Sequence, residues 1–170
     1  MKNKVFIVSV FVLFVAFICL GFLYFNRIQD KKENTEEKLP EFLTIKVFFN
    51  NSNLDPEFSC NKVFSVERKI IKTEAVARAA LEKLLAGPTE EEISQGFSTS
   101  INSGVKIQKL TIDENGTAMV DFDERLEFPG GGSCRVSAIR SEITQTLKQF
   151  PTVNNVIISI DGRIEDILQP

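Results

Sequence analysis

The chain of 170 residues contains no histidine and no tryptophan, and only three cysteines and one tyrosine. Histidine is the commonest general base and the commonest nitrogen ligand for metals, so its absence excludes most hydrolytic and metal-dependent constellations. The formal net charge of -3 provides no basic field that could gather nucleic acid. The sequence therefore predicts no nucleic-acid partner, no cofactor, no metal site and no catalytic residues.

The first 25 residues differ in composition from the rest of the chain. Residues 5–25 read VFIVSVFVLFVAFICLGFLYF without a charged residue, and a helix rising about 1.5 Å per residue spans the roughly 30 Å hydrocarbon layer over that length. A cleaved signal peptide is the alternative, but the apolar run exceeds the usual length and no A-x-A site follows it. We therefore predict that residues 1–25 are an uncleaved transmembrane signal anchor of a single-pass cell-membrane protein.

Residues 26–41 form a polar linker in this interpretation. As far as Pro40 the segment reads NRIQDKKENTEEKLP, with almost nothing apolar to bury, and this composition is typical of a flexible tether. A flexible coil of this length spans roughly 20 Å, which keeps the predicted folded domain, residues 42–170, close to the membrane.

Two cysteines, Cys60 and Cys134, lie outside the anchor. Their separation of 74 positions fits no zinc motif, and we interpret them as a disulfide in preference to two unpaired buried thiols. Disulfides persist outside the cytosol. The anchor, the linker and this pair together predict an extracytoplasmic domain on the carboxyl-terminal side of the membrane.

The hydrophobic pattern of residues 42–170 predicts strands and helices that follow one another along the chain. The strand segments are rich in β-branched and aromatic residues, and the two main helical segments carry apolar residues three or four positions apart. The predicted order is β-β-α-(α)-β-β-α-β, with one more short strand at the end. This order predicts an α/β (α+β) fold in which one mixed β-sheet carries the two main helices mainly on one face.

Local signals mark the ends of these elements. Thr89 and Glu92 form the T-x-x-E pattern of a capping box at a short second helix. The Asn-Gly pair at 115–116 and the Asp-Gly pair at 161–162 indicate tight hairpin turns. A shift in the apolar pattern near Lys109 predicts a β-bulge in the first of the two hairpins.

Two longer segments carry a family resemblance. They read LEKLLAGPTEEE at 81–92 and SCRVSAIRSEITQTLKQFPTVNNVIISIDG at 133–162, and they are similar to signature segments of the GerMN domain family, the sporulation and spore germination domain. Residues 43–165 can be laid along the family pattern without large gaps. The resemblance implies a compact, exported α/β domain, often tethered to the membrane, that works in the cell envelope as a binding or assembly module. It supplies no catalytic residues.

A glycine-rich loop before the long helix is the candidate ligand site. Backbone N–H groups at such a helix start can bind an anion, and the candidate set comprises Gly130, Gly131, Gly132, Ser133 as helix cap, Arg135 and Arg140. The loop lacks the lysine of a P-loop, and glycines also let the chain turn tightly next to a disulfide at Cys134.

Four acidic residues offer another candidate site, a hard-cation site or a glycosidase pair: Asp121, Asp123, Glu124 and Glu127. They match no EF-hand spacing, and the sequence offers no aromatic sugar platform beyond phenylalanine.

We therefore expect a membrane-tethered, extracytoplasmic binding or assembly module of the bacterial cell envelope that is not an enzyme. Its expected partners are the membrane, through residues 5–25, and an envelope protein or cell-wall material. The oligomeric state is left open. Two alternatives are an envelope enzyme acting on cell-wall glycan and a sensor of small anions or other ligands.

Overall fold

The computed structural model describes residues 15–27, 39–57, 59–128 and 130–169. The chain divides into two units between Leu39 and Pro40. In the first unit, residues 15–27 form helix α1. Within the described ranges, no helix has both the length and the hydrophobicity needed to cross a membrane. Residues 1–14 of the predicted anchor and residues 28–38 of the predicted linker lie outside the described residues, so both assignments stay predictions.

The second unit contains a first sheet built around one long central strand. Strand β1 (Phe42–Asn51) lies between β2 (Phe64–Ile71) and the two-residue β3 (Phe97–Ser98), and both pairings are antiparallel. Alternate side chains of β1, those of Ile45, Val47 and Phe49, are buried because successive residues of a strand point to opposite faces.

The second sheet has the order β4-β5-β6 and is mixed. Strand β4 (Ile107–Ile112) is antiparallel to β5 (Thr117–Phe122), and β6 (Asn155–Ile160) is parallel to β5. The pairing register of β4 shifts between Ile107 and Lys109, which confirms the predicted bulge. The inward face of β5 consists of Ala118, Val120 and Phe122, each at most 1% exposed.

Helices of the second unit connect the strands and bury apolar faces. They are α2 (Val76–Leu85), the short α3 (Glu90–Ser94), a 3-10 turn at Glu124–Leu126 and the long α4 (Ser133–Lys148). One hydrophobic core joins side chains from both sheets with α2 and α4, and its fully buried members include Phe49, Leu81, Leu84, Phe122, Ile139, Ile143 and Leu147.

The predicted end signals form as expected, with one difference. At α3, Thr89 Oγ1 accepts from Glu92 N–H and Glu92 Oε2 accepts from Thr89 N–H at 2.9 Å, which completes the capping box. Residues 161–162 both take positive φ angles, 49° and 77°, as a two-residue hairpin turn requires. Between β4 and β5 the loop has four residues, 113–116, and only Gly116 has a positive φ, 78°. Four-residue loops are another common hairpin connection.

The expectation of one mixed sheet is wrong, because the strands form two separate three-stranded sheets. The side of β1 opposite β2 is occupied by side chains of the α4 region. Gln149 Oε1 accepts from Lys46 N–H at 2.7 Å, Gln149 Nε2 donates to Lys46 O at 2.6 Å, and Thr146 Oγ1 accepts from Phe48 N–H at 3.2 Å. These contacts leave only the end of β1 to pair with β3, so β1 does not join β4–β6.

The expected final strand, residues 163–168, is also absent. After the turn at 161–162 only one isolated bridge forms, between Ile160 and Arg163. The next apolar residues, Ile167 and Leu168, are consecutive and both buried, at 1% and 4% exposed. Leu168 also has a positive φ of 48°, which lies outside the extended region, so the chain follows an irregular path here.

Candidate functional site

The disulfide braces the start of α4. Cys60 and Cys134 are bonded with an S–S distance of 2.07 Å and a Cα–Cα distance of 4.8 Å. The pairing expected from the sequence is confirmed. It ties the loop between β1 and β2 to the first turn of α4, where the glycine-rich loop enters the helix.

The residue that caps α4 differs from the expected one. Gly132 occupies the cap position, with φ -69° and ψ 167°, and Ser133 is the first helical residue. The proposal that Ser133 caps the helix is therefore wrong, because a side chain can cap only from the position before the first helical residue. Space around Gly132 is open, since a Cβ built there would meet no atom within 4 Å.

The two predicted arginines do not act together. Arg135 lies across the loop, because a Cβ on Gly131 would come within 2.7 Å of Arg135 Cδ. Arg140 instead donates from Nη2 to Ile167 O at 3.0 Å, so it stabilises the carboxyl-terminal segment. The structure thus brings together Gly130, Gly131, Gly132 and Arg135, and it excludes Arg140 from the candidate set.

Asn102 fixes the positions of the loop and of Arg135. Its Nδ2 donates to the carbonyl oxygens of Arg125 and Phe128, and its Oδ1 accepts from Arg135 Nη2 at 3.1 Å. No pattern in the sequence indicated this residue, because its partners are more than 20 positions away along the chain. It holds Phe128 and Arg135 on one side of the domain.

The glycine-rich loop, Phe128 and Arg135 border a cavity of about 570 Å³, a volume within the range of about 300–1,000 Å³ usual for binding pockets. The walls combine apolar, acidic and basic side chains and include Glu124, Glu127, Phe128, Gly131, Arg135 and Leu168. Phe128 is 71% exposed, whereas Leu168 is buried. The arrangement places an apolar surface beside charged groups. Such a surface can bind a partner that presents both apolar and charged groups.

Three of the four acidic residues of the alternative site, Asp121, Asp123 and Glu127, are held in separate contacts. Asp121 Oδ1 accepts from Ser159 Oγ at 2.6 Å and from Gly162 N–H at 2.9 Å, which fixes the 161–162 turn. Asp123 Oδ1 accepts from Lys106 N–H at 3.1 Å, and Glu127 is paired with Arg163. Across the part of the chain that the structure describes, no three His, Cys, Asp or Glu residues are grouped as metal ligands.

Comparison with known proteins places the chain in a family. The family model described as "Germane: Sporulation and spore germination" matches residues 46–166. The chain belongs to this family. The resemblance to GerMN domains seen in the sequence is therefore confirmed, and the second unit is a Germane domain.

Relatives of known identity agree with this assignment. The spore germination protein GerM of Bacillus subtilis (strain 168) is 32% identical over 92 residues, which are 54% of this chain and 24% of that protein. This chain therefore spans 24% of the length of that relative.

Two solved structures share the fold. The first GerMN domain of the sporulation protein GerM from Bacillus subtilis is 23% identical with a TM-score of 0.57, covering 72% of this chain and 85% of that one. The tandem GerMN domains of the same protein are 21% identical with a TM-score of 0.60, covering 76% of this chain and 43% of that one.

The Germane domain also buries a carboxyl group that the sequence analysis did not single out. Glu142 on α4 has 0% exposure. Its Oε1 accepts from Ser100 N–H at 3.0 Å, and its Oε2 accepts from the hydroxyl of Thr99. Burial raises the pKa of Glu142 to about 7, against the opposite effect of these two hydrogen bonds. The helical period was a usable signal, because position 142 falls on the buried face between Ile139 and Ile143.

An ion pair fixes α3 to the first sheet. Arg68 forms a two-pronged pair with Glu92, with both N–O distances 2.6 Å, and each side chain is 15% exposed. Donation from Arg68 lowers the pKa of the Glu92 carboxyl below its usual value, despite the opposing effect of burial. Glu92 therefore serves both the capping box and a link between α3 and β2. The sequence predicted only the first of these roles.

Proposed function

We propose that this Germane-family chain is a binding or assembly module that acts in sporulation or spore germination and catalyses no reaction. The observation that carries this proposal is the cavity at the start of α4. There an exposed aromatic side chain, Phe128, stands beside Arg135 on a frame braced by the disulfide. Aromatic and arginine side chains are enriched where proteins bind one another.

We also propose that residues 5–25 hold the chain in the cell membrane and that the Germane domain lies outside the cytoplasm. The uncharged run of 21 residues supports the anchor. The Cys60–Cys134 disulfide supports an oxidising compartment, because cytosolic thiols are kept reduced. A reporter enzyme that is active only outside the cytoplasm, fused after the last residue, should be active in cells. Activity of a cytoplasm-only reporter at that position would contradict the orientation.

No specific contact favours the alternative of an enzyme acting on cell-wall glycan. Asp121 holds the 161–162 turn and Glu127 is paired with Arg163, so both carboxylates already have structural partners. The purified full-length chain should leave isolated cell walls intact. Wall hydrolysis that disappears in Asp121→Asn would replace the binding proposal by the enzymatic one.

The functional test is complementation in spore-forming cells that lack the gene. We expect wild-type protein to restore sporulation or germination, and the double variant Phe128→Ala with Arg135→Gln to fail although it is produced at the wild-type level. Ile93→Ala is the matched control, because Ile93 is an exposed apolar residue, 56% exposed, on α3. Full restoration by the double variant would contradict a binding role for the cavity.

A further inference from the structure

The cavity at the start of α4 has an apolar side that a partner can cover. Val136 and Leu168 form buried parts of its wall, at 8% and 4% exposed. Phe128 forms part of the same wall and is 71% exposed. An exposed aromatic ring next to buried aliphatic groups offers an apolar surface whose removal from water by a partner is favourable.

The charges of the cavity are only partly compensated. Arg163 pairs with both Glu127 and Asp166, so its single positive charge offsets only one of the two carboxylates, and the three side chains together keep one negative charge. Arg125 donates to Gly104 O at 3.0 Å and lies 3.9 Å from a carboxylate oxygen of Asp123.

Two wall residues then stand apart. Among the residues that the structure describes, Arg135 has no carboxylate within ion-pair distance, and Glu124 has no cationic group within that distance. The guanidinium of Arg135 uses one strong donation, to Asn102, and is half-buried, so it retains donors for a carboxylate.

Gly131 sets where this guanidinium lies. The side chain of Arg135 crosses Gly131 so closely that a Cβ there would be 2.7 Å from Cδ and 3.0 Å from Nη1. Alanine at this position therefore has to displace the flexible arginine side chain. The neighbouring Gly132 has open space around it, so alanine there leaves Arg135 in place.

We propose that this cavity binds a segment of a partner protein that inserts an apolar side chain beside Phe128 and places an Asp or Glu carboxylate on Arg135. Glu124 adds a preference for a Lys or Arg in the same segment. The inference rests on the proposed binding function and names the chemistry of its partner. Apolar contact supplies the attraction, and the charge-assisted hydrogen bonds to Arg135 supply the selection.

The experiment is photo-crosslinking of the full-length chain in sporulating cells, with benzoylphenylalanine in place of Phe128. The same probe at Ile93 is the control for an exposed apolar position outside the cavity. We expect adducts at position 128 above those at position 93, and mass spectrometry should map them to a segment with Asp or Glu within three residues of the crosslinked apolar residue. Absence of adducts above the control, or a segment without a carboxylate, would overturn the proposal.

The variants then test the role of Arg135. A synthetic peptide copy of the crosslinked segment should bind the full-length chain about tenfold more weakly after Arg135→Gln and after Gly131→Ala, and with unchanged affinity after Gly132→Ala. Arg135→Glu should be rescued by exchange of the peptide carboxylate for lysine. Equal affinity of wild type and Arg135→Gln would refute the ionic contact.

The outcomes separate this inference from the broader proposal. If the cavity variants fail in complementation but the crosslinked segment carries no acid, the binding function stands and the partner chemistry is wrong. If the cavity variants complement fully, the binding function itself is wrong.

Discussion

The buried carboxyl group of Glu142 makes the stability of the domain depend on pH in an unusual direction. Its surroundings contain a hydroxyl and a backbone N–H as partners, and among the described residues it has no ion pair. Burial penalises the charged form, so the pKa rises from 4.5 to about 7 in the folded protein. The folded state therefore binds this proton more tightly than the unfolded state.

The sign and size follow from proton linkage. Because the folded-state pKa is the higher one, the stabilisation is complete below the unfolded value and is lost as pH rises through about 7. One pKa unit corresponds to about 1.4 kcal/mol, so ionisation of Glu142 should cost about 3 kcal/mol of unfolding free energy between about pH 4 and pH 8.

Glu142→Gln removes this cost while it keeps the size and the acceptor oxygen of the side chain. At about pH 8 we expect the variant to be more stable than wild type by about 2 to 3 kcal/mol, and at about pH 4 the two should agree within about 1 kcal/mol. Glu165→Gln is the control, because Glu165 is exposed.

Urea unfolding of the full-length chain should be followed by far-ultraviolet circular dichroism, since the sequence has no tryptophan and a single tyrosine. A difference between wild type and Glu142→Gln that stays constant from about pH 4 to pH 8 would refute the reasoning, because it would mean that Glu142 titrates alike in both states.

Three further predictions concern stability. Replacement of both disulfide cysteines by serine should lower the unfolding free energy by about 4 kcal/mol, because the bond closes a loop of 74 positions; equal urea midpoints with and without a reducing agent would contradict it. Glu92→Ala should cost about 1 to 3 kcal/mol, with Glu91→Ala nearly neutral, and the Glu92 contribution should fade in urea titrations as acid protonates this low-pKa carboxyl. Gly116→Ala should destabilise more than Gly162→Ala in thermal unfolding: both residues have positive φ, but only the first would bring a Cβ within 2.8 Å of a backbone oxygen, that of Thr152. Equal losses would show that the loop around Gly116 relaxes.

Much of the local structure could be predicted, because its signals lie within a few residues of one another. The capping box at Thr89, the bulge near Lys109 and the inward face of β5 all follow from spacing alone. The disulfide followed from the number and separation of the cysteines. The division into two sheets could not be predicted, because it depends on contacts such as that of Gln149 with Lys46, 103 positions apart.

The candidate site was only partly within reach of the sequence. Its position at the glycine-rich loop could be predicted from the helix start. The geometry of a helix already separates Arg140 from this site. Residues five positions apart on a helix are rotated by about 140°, so Arg135 and Arg140 cannot share a face. Phe128 and Asn102 gave no local signal, because an exposed aromatic and an amide in a loop acquire their meaning from distant partners.

The side chains of Thr146 and Gln149 cover the margin of β1 that lies opposite β2. Gln149 both donates to and accepts from the backbone of Lys46, as a neighbouring strand would. An exposed strand edge presents unpaired N–H and C=O groups, with which a strand of another chain can pair. Leucine at position 149 would leave the N–H and C=O of Lys46 without these partners and would expose part of this strand margin to pairing with another chain.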